Sequence, residues 1–350
     1  MPLFPIPSRE KVDFVKNLSV MLKSGMTINE SLEILGESAR AKRFRAVLGR
    51  VRAHIEQGTP LAEAFRREKR VFGDVAVSLI EAGERSGTLD ENLAFLSDWM
   101  ERNEDLRAEI KAATLYPKFV FGATILLGAG LTVYILPKLT PLFTSLDVEL
   151  PFITKVLLSF SLFISSYWVL AIFLFAAFAA GIFALNKIPP IRYAFHAAYI
   201  RAPFVGGLVL DYQLALATEL FATLFKSGLL MSETLDIVSK SATNLAYRRS
   251  LLRIRDRVDA GETLSEAMKN FPSLYPRNLI GIVATGERSG TLDQSFAYLS
   301  EFYTKEVKIR TKKLPTIIEP ALLIFIAFFV GLIAIAVIMP IYQLTGGLSK

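Results

Sequence analysis

No cysteine occurs in the chain, and its only two histidines, His54 and His196, lie far apart. The first absence excludes disulfides and thiolate metal sites outright. The second leaves each imidazole without a ligand-spaced companion, so the sequence points to no metal and no cofactor. The phosphate-loop pattern Gly-x-x-x-x-Gly-Lys-Ser/Thr is missing too, so any nucleotide-driven work must draw on a partner. The first eight residues, Met1 to Ser8, lack the basic, apolar, small order of a signal peptide. Three long stretches, 119–136, 156–185 and 321–339, contain no Asp, Glu, Lys, Arg or His. Pumps and coupled transporters place ionisable groups at mid-membrane, so this last absence argues against the alternative reading as a transporter or channel subunit.

What the chain has is apolar bulk alongside ordinary charge. Hydrophobic residues make up 52% of it and charged ones 21%, whereas a soluble domain is about 45–50% apolar. A mosaic of a few spans and polar domains reconciles the two figures. Runs of about 18 or more apolar residues fit a hydrocarbon core of about 30 Å. The middle run is too long for one perpendicular span, and Ser159, Ser161, Ser165 and Ser166 crowd its first half. The span is therefore expected at 167–185, with Tyr167 and Trp168 at an interface.

Basic residues set the orientation. Arg102, Arg107, Lys111 and Lys118 precede the first run; Lys187, Arg192 and Arg201 follow the second; Lys305, Lys308, Arg310, Lys312 and Lys313 precede the third. The 137–155 loop offers Lys138 and Lys155 against Asp147 and Glu149, and the tail only Lys350. The expectation is a multi-pass protein of a bacterial or archaeal-type inner (cytoplasmic) membrane, N-terminus cytoplasmic and C-terminus periplasmic. The net charge of 40 − 33 = +7 is then explained by topology and contact with anionic membrane lipids, and nucleic acid is discounted.

Self-similarity is the strongest signal. Gly83-Glu-Arg-Ser-Gly-Thr-Leu-Asp90 recurs as Gly286-Glu-Arg-Ser-Gly-Thr-Leu-Asp293, an offset of 286 − 83 = 203. The same offset places Lys23-Ser-Gly25 on Lys226-Ser-Gly228, Gly58 on Gly261, Pro117 on Pro320 and Pro137 on Pro340. The chain thus reads as an all-α membrane protein with two homologous cytoplasmic helical-bundle modules and three transmembrane helices. The expected segments are module 1–117, span 118–137, outer loop and helix 138–166, span 167–185, module 186–319, span 320–341 and periplasmic tail 342–350.

Within each module the spacing is helical: Val12, Val15, Leu18 and Leu22, then Leu216, Leu220 and Leu224. Thr88-Leu-Asp-Glu91 and Thr291-Leu-Asp-Gln294 read as capping boxes, with further helix starts at Thr27-x-x-Glu30 and Thr263-x-x-Glu266. Thr59-Pro60 places proline at a first helical position. Gly83 and Gly286 are expected at helix ends, and Gly87 and Gly290 in a conformation that side chains disfavour. The repeated octapeptide is not Gly-x-Ser-x-Gly, so it reads as a helix–turn–helix corner without catalytic chemistry. Glu84-Arg85 and Glu287-Arg288 are charges on that corner, open to an internal ion pair or to a partner. The basic run from Arg40 to Arg52 is either a solvated face or a dock for an acidic surface or lipid headgroups, with Arg43, Arg45 and Arg50 as candidate contacts. Gly122, Gly128, Gly130 and Gly331 suit close packing between spans or subunits.

The duplicated Gly83, Glu84, Ser86, Gly87, Leu89 and Gly286, Glu287, Ser289, Gly290, Leu292, with Thr88 and Thr291 between, and Tyr116-Pro117 leading into a run that ends Ile135-Leu136-Pro137, resemble the type II secretion system F family. That family includes the inner-membrane platform proteins of type IV pili. The likeness covers nearly the whole chain. It departs at Glu109, where the family usually carries a basic residue, at Thr114, where it usually has an aliphatic one, and at Glu319-Pro320, which stands where the first copy has Tyr116-Pro117. The resemblance implies a non-enzymatic platform. Its implied partners are a hexameric cytoplasmic assembly ATPase, prepilins or pseudopilins, other inner-membrane assembly proteins and further copies of itself.

Overall fold

A computed structural model of the chain describes residues 6–130, 134, 155, 156, 159, 162, 163, 166–185, 188–203 and 205–347. Pro137 and most of the 138–166 loop therefore lie outside the described residues. Regular structure among the described residues is helical throughout. The chain divides into two compact units. One joins the residues up to Glu109 with Tyr193–Ile309; the other holds Ile110–Arg192 and the residues from Arg310 onward.

The first unit opens with a bundle of α1 (Ser8–Lys23), α2 (Ile28–Ser38), α3 (Lys42–Glu56), α4 (Leu61–Arg67), α5 (Lys69–Phe72), α6 (Asp74–Ser86) and the start of α7 (Leu89–Gly130). Phe14, Phe44, Phe65 and Phe72 are all buried at its centre. Phe65 and Phe72 lie 4.6 Å apart between ring centroids, and Phe14 meets Phe44 edge-on at 5.4 Å. Burial of each such ring contributes roughly 1.5–3 kcal/mol, which makes this cluster the main reason the short helices cohere.

After α8 (Trp168–Leu185) and α9 (Pro189–Arg201), the same unit continues with α10 (Gly206–Lys226), α11 (Met231–Ser241), α12 (Leu245–Asp259), α13 (Leu264–Lys269), α14 (Arg277–Ser289) and the start of α15 (Leu292–Gly347). The helices α2, α3, α6 and the beginning of α7 recur 203 residues later as α11, α12, α14 and the beginning of α15. Tyr247 and Tyr275 stand where the first bundle has Phe44 and Phe72, and Ser250 Oγ satisfies the Tyr275 hydroxyl at 2.9 Å. One helix is not repeated. Pro276 stands where the first bundle has Gly73, whose N–H closes α5 on the Lys69 carbonyl at 2.8 Å; proline has no N–H to give, and the equivalent segment is a turn.

By length and composition, Leu89–Gly130, Gly206–Lys226 and Leu292–Gly331 could each cross a membrane. Their surroundings separate them. The apolar windows of the first and third are 11% and 6% buried, but that of α10 is 67% buried. Asp211, Gln213 and Glu219 are buried along α10 as well. It is therefore a core helix of the first unit. The large apolar side chains of the other two face outward, as in Phe119, Leu126, Leu127, Ile324 and Phe328, a surface that fits lipid and not water. Helix α8, eighteen residues long, exposes Phe173, Leu174, Phe178 and Phe183 in the same way.

Helices α7 and α15 run straight through Pro117 and through Pro315, Pro320 and Pro340. Membrane helices tolerate such interruptions because neighbours re-satisfy the freed carbonyls. Within the second unit, Gly128 packs against the Phe329 ring and Phe121 meets Phe325 at 5.7 Å. Gly122, Gly130 and Gly331 have open space in front of them.

Candidate functional site

The repeated corner explains most of the octapeptide. Helix α6 ends at Ser86, and Gly87 follows in the left-handed conformation at φ 74°, ψ 14°. Gly290 repeats this after α14 at φ 72°, ψ 19°. The Thr88 N–H reaches back to the Gly83 carbonyl at 3.0 Å, and Thr291 to Gly286 at 2.8 Å, the closing bond of a Schellman turn.

Gly83 and Gly286 are not at the helix ends expected of them. They sit one turn inside α6 and α14, and glycine is needed there for closeness. A Cβ on Gly83 would lie 2.8 Å from the Leu89 Cα, and one on Gly286 would strike the Ser295 hydroxyl. The next helix crosses directly over them.

Local caps differ from expectation too. The Glu30 and Glu266 N–H groups donate to Thr27 and Thr263 Oγ1, both at 3.3 Å, as read from the sequence. Thr88 Oγ1 is instead engaged by Asn92 Nδ2 at 3.0 Å and shares a 2.6 Å bond with Ser86. The capping-box acid Glu91 is displaced by an amide one residue on. Pro60 is the N-cap residue, and α4 begins at Leu61.

Glu84 and Arg85 part company. The Glu84 carboxylate accepts the N–H groups of Leu61 at 2.7 Å and Ala62 at 3.0 Å, capping α4 from another helix. Glu287 does the same for Leu264 at 2.6 Å and Ser265 at 3.1 Å. A carboxylate at a helix N-terminus satisfies orphan donors and opposes the helix dipole. Arg85 faces away and pairs with Glu233 of the second bundle at 3.6 Å. Among the described residues, Arg288 bonds within its own helix, at the Ala284 carbonyl.

That Arg85 contact belongs to a polar seam between the bundles. Arg102 Nε lies 3.0 Å from Glu219. The Tyr212 hydroxyl accepts from Arg107 at 2.9 Å and donates to Asn103 at 2.6 Å. Lys308 pairs with Glu109 at 3.5 Å, so the residue that departs from the family pattern has an acid's task here. Glu219 is the buried member. Desolvation raises its carboxyl to about 7; Arg102 opposes this and Asp98 adds to it. The Arg102 side chain is 59% exposed against 10% for Glu219, so water screens the cation more than it solvates the acid. Burial likewise pushes the Tyr212 phenol up.

The candidate basic contacts divide. Arg45 donates to the Ala39 carbonyl at 2.9 Å and the Glu37 carbonyl at 3.2 Å, closing the end of α2. Arg50 pairs with Glu68 at 2.6 Å. Arg43 is exposed and makes no such bond among the described residues, and the same holds for Arg40 and Lys42 beside it. The membrane-side prolines differ as well: Pro117 is buried, Pro320 exposed, and Tyr116 59% exposed. His54 lies against Arg67, 3.2 Å from Nδ1, and His196 Nδ1 accepts the Leu245 N–H at 3.0 Å. Among the described residues no cluster of His, Asp or Glu is arranged for a metal ion.

The family model described as type II secretion system (T2SS), protein F matches the chain twice, over residues 14–137 and 217–340. The two matches start and end 203 residues apart. The chain is 26% identical to the type IV pilus assembly protein PilC of Pseudomonas aeruginosa, covering 95% of this chain and 88% of the relative. It is 29% identical to PilC of Thermus thermophilus, with 96% and 82% covered. It is 25% identical to the type II secretion system protein F of Xanthomonas campestris pv. campestris, with 99% and 85% covered.

Proposed function

The chain belongs to the type II secretion system protein F family, and from that premise we propose that it couples a cytoplasmic assembly ATPase to the insertion or extraction of pilin or pseudopilin subunits. As a member of that family it is a non-enzymatic, multi-pass inner-membrane platform protein. The observation that carries the coupling role is continuity. Two bundles share one compact unit, and α7 and α15 each lead from a bundle into an apolar segment without a break in the helix. A displacement at the bundles has two continuous helices to travel along among the described residues. The repeat offset supports duplication of one cytoplasmic module, and the burial of α10 favours α8 as the second span.

The contact proposed for the ATPase is the exposed face at Arg43, extended to Arg40 and Lys42. Arg45 and Arg50 are less suited to the test, because reversing them would remove the α2 closure and the Glu68 pair. With Arg40, Lys42 and Arg43 all changed to Glu, the full chain should insert normally and bind the purified ATPase more weakly. The difference should shrink with salt as the screening length falls to about 8 Å at physiological ionic strength. Equal binding at low salt would remove this face. Affinity purification from membranes that recovers neither an ATPase nor prepilins, together with solute flux in liposomes, would favour a channel.

A further inference from the structure

The two bundles differ at one place where their common ancestry makes the difference informative. In the first, Arg50 of α3 is neutralised by Glu68. At the offset of 203, Arg253 of α12 takes the place of Arg50, and Phe271 takes the place of Glu68. The acid is gone and the cation is kept. A second arginine, Arg249, is added one turn earlier where the first bundle has Ala46. Arg249 lies over the Tyr193 ring, 5.5 Å from its centroid.

These side chains line a cleft of about 250 Å³ together with Arg201, Phe271 and Ser273. None of its lining residues is acidic. Neither Arg201, Arg249 nor Arg253 forms an ion pair among the described residues, whereas Arg50, Arg52, Arg66, Arg102, Arg255 and Arg257 all do. Three unneutralised guanidinium groups around one concavity repel one another unless an anion joins them. Their planar forks suit phosphate oxygens.

We propose that this cleft is a phosphate site that takes the headgroup of an anionic phospholipid. Chain connectivity points to lipid as the source. Tyr193 stands eight residues beyond Leu185, the last residue of the apolar helix α8, which is at most about 28 Å of extended chain. Arg and Lys near the cytoplasmic membrane surface attract anionic lipid headgroups. The Tyr193 and Phe271 rings give the glycerol and first acyl carbons an apolar wall. The inference rests on α8 being a membrane span and is independent of the ATPase.

The test uses the full chain in a neutral detergent, titrated with phosphatidylglycerol, phosphatidylcholine or inorganic phosphate and followed by native mass spectrometry. Phosphatidylglycerol should be retained about tenfold or more over phosphatidylcholine, given the attraction typical of two or three basic groups. The double variant Arg249→Gln, Arg253→Gln should lose that preference. Arg70→Gln, an exposed position of the first bundle, should keep it. Phe271→Glu supplies a second route, because it returns the acid that Arg50 has and removes no cation; it too should abolish the preference, and it decides alone if the double variant does not fold. Equal retention of both lipids by the wild type, or a preference that survives Phe271→Glu, would overturn the site. Arginine-dependent binding of inorganic phosphate without any preference for phosphatidylglycerol would overturn the lipid assignment and point to a soluble phosphate ester.

Discussion

At the scale of single residues, the octapeptide is a set of three different requirements on neighbouring positions. Gly87 and Gly290 are needed for backbone angle, Gly83 and Gly286 for space, and Glu84 and Glu287 for a cap on a helix that begins more than twenty residues earlier. Alanine therefore does different harm at each glycine. Gly87→Ala should cost about 1 kcal/mol through φ alone. Gly83→Ala has an acceptable φ but must push the α7 backbone away, and should cost more, roughly 1–3 kcal/mol. In denaturant unfolding of the detergent-solubilised chain the midpoints should fall in the order wild type, Gly87→Ala, Gly83→Ala. An unchanged midpoint for Gly87→Ala would contradict the strained turn. The angle requirement was readable in advance because it is local. The space requirement and the Glu84 cap were not, because both depend on which helix crosses the corner, and spacing along the chain carries no trace of that.

At the scale of elements, α10 shows how one helix serves as both core and seam. Glu219 sits on it with its carboxyl raised to about 7, against an unfolded value near 4.5. The native state then holds a proton between those values that the unfolded state has released. Stability contributed by the neutral acid is fully present below about pH 4.5 and is lost as pH rises to about 7. Glu219→Gln keeps the shape, removes the titration and should flatten this decline, so that the variant gains on the wild type at pH 8 by up to about 3 kcal/mol. Thermal unfolding of both proteins at pH 5 and pH 8 measures it; parallel shifts with pH would rule out Glu219 as the source.

The helical pattern of α10 was legible from Leu216, Leu220 and Leu224, all buried. Its exclusion from the spans was legible too, since Asp211 and Glu219 interrupt its apolar run. What the sequence withheld was the partner of each acid. Arg102 and Arg107 looked like part of a membrane-flanking cluster; in the fold they also face Glu219 and Tyr212 across the seam. The missing α5 equivalent is announced by Pro276, but the cleft beside it appears only once α9 and α12 are brought together in three dimensions.

At the scale of the whole molecule, the joining of both bundles in one compact unit constrains topology before any charge is counted. Residues up to Glu109 and Tyr193–Ile309 belong to the same body, and we propose that they lie on the same side of the membrane. The chain between them must then cross an even number of times. On that proposal the apolar run 119–136 and α8 supply two crossings, and α10, buried in the body itself, supplies none. On that proposal the third apolar segment, 321–339, carries the chain after Arg310 to the side opposite the bundles. Basic residues favour one side: Lys187, Arg192 and Arg201 follow α8, and five more lie between Lys305 and Lys313. We therefore propose that the bundles face the cytoplasm. A reporter active only in the periplasm should be silent when fused after Asn186 and active when fused after Leu348. The opposite pair of results would invert the protein in the membrane. Activity or silence at both positions would break the parity argument, and with it the placement of the second span at α8.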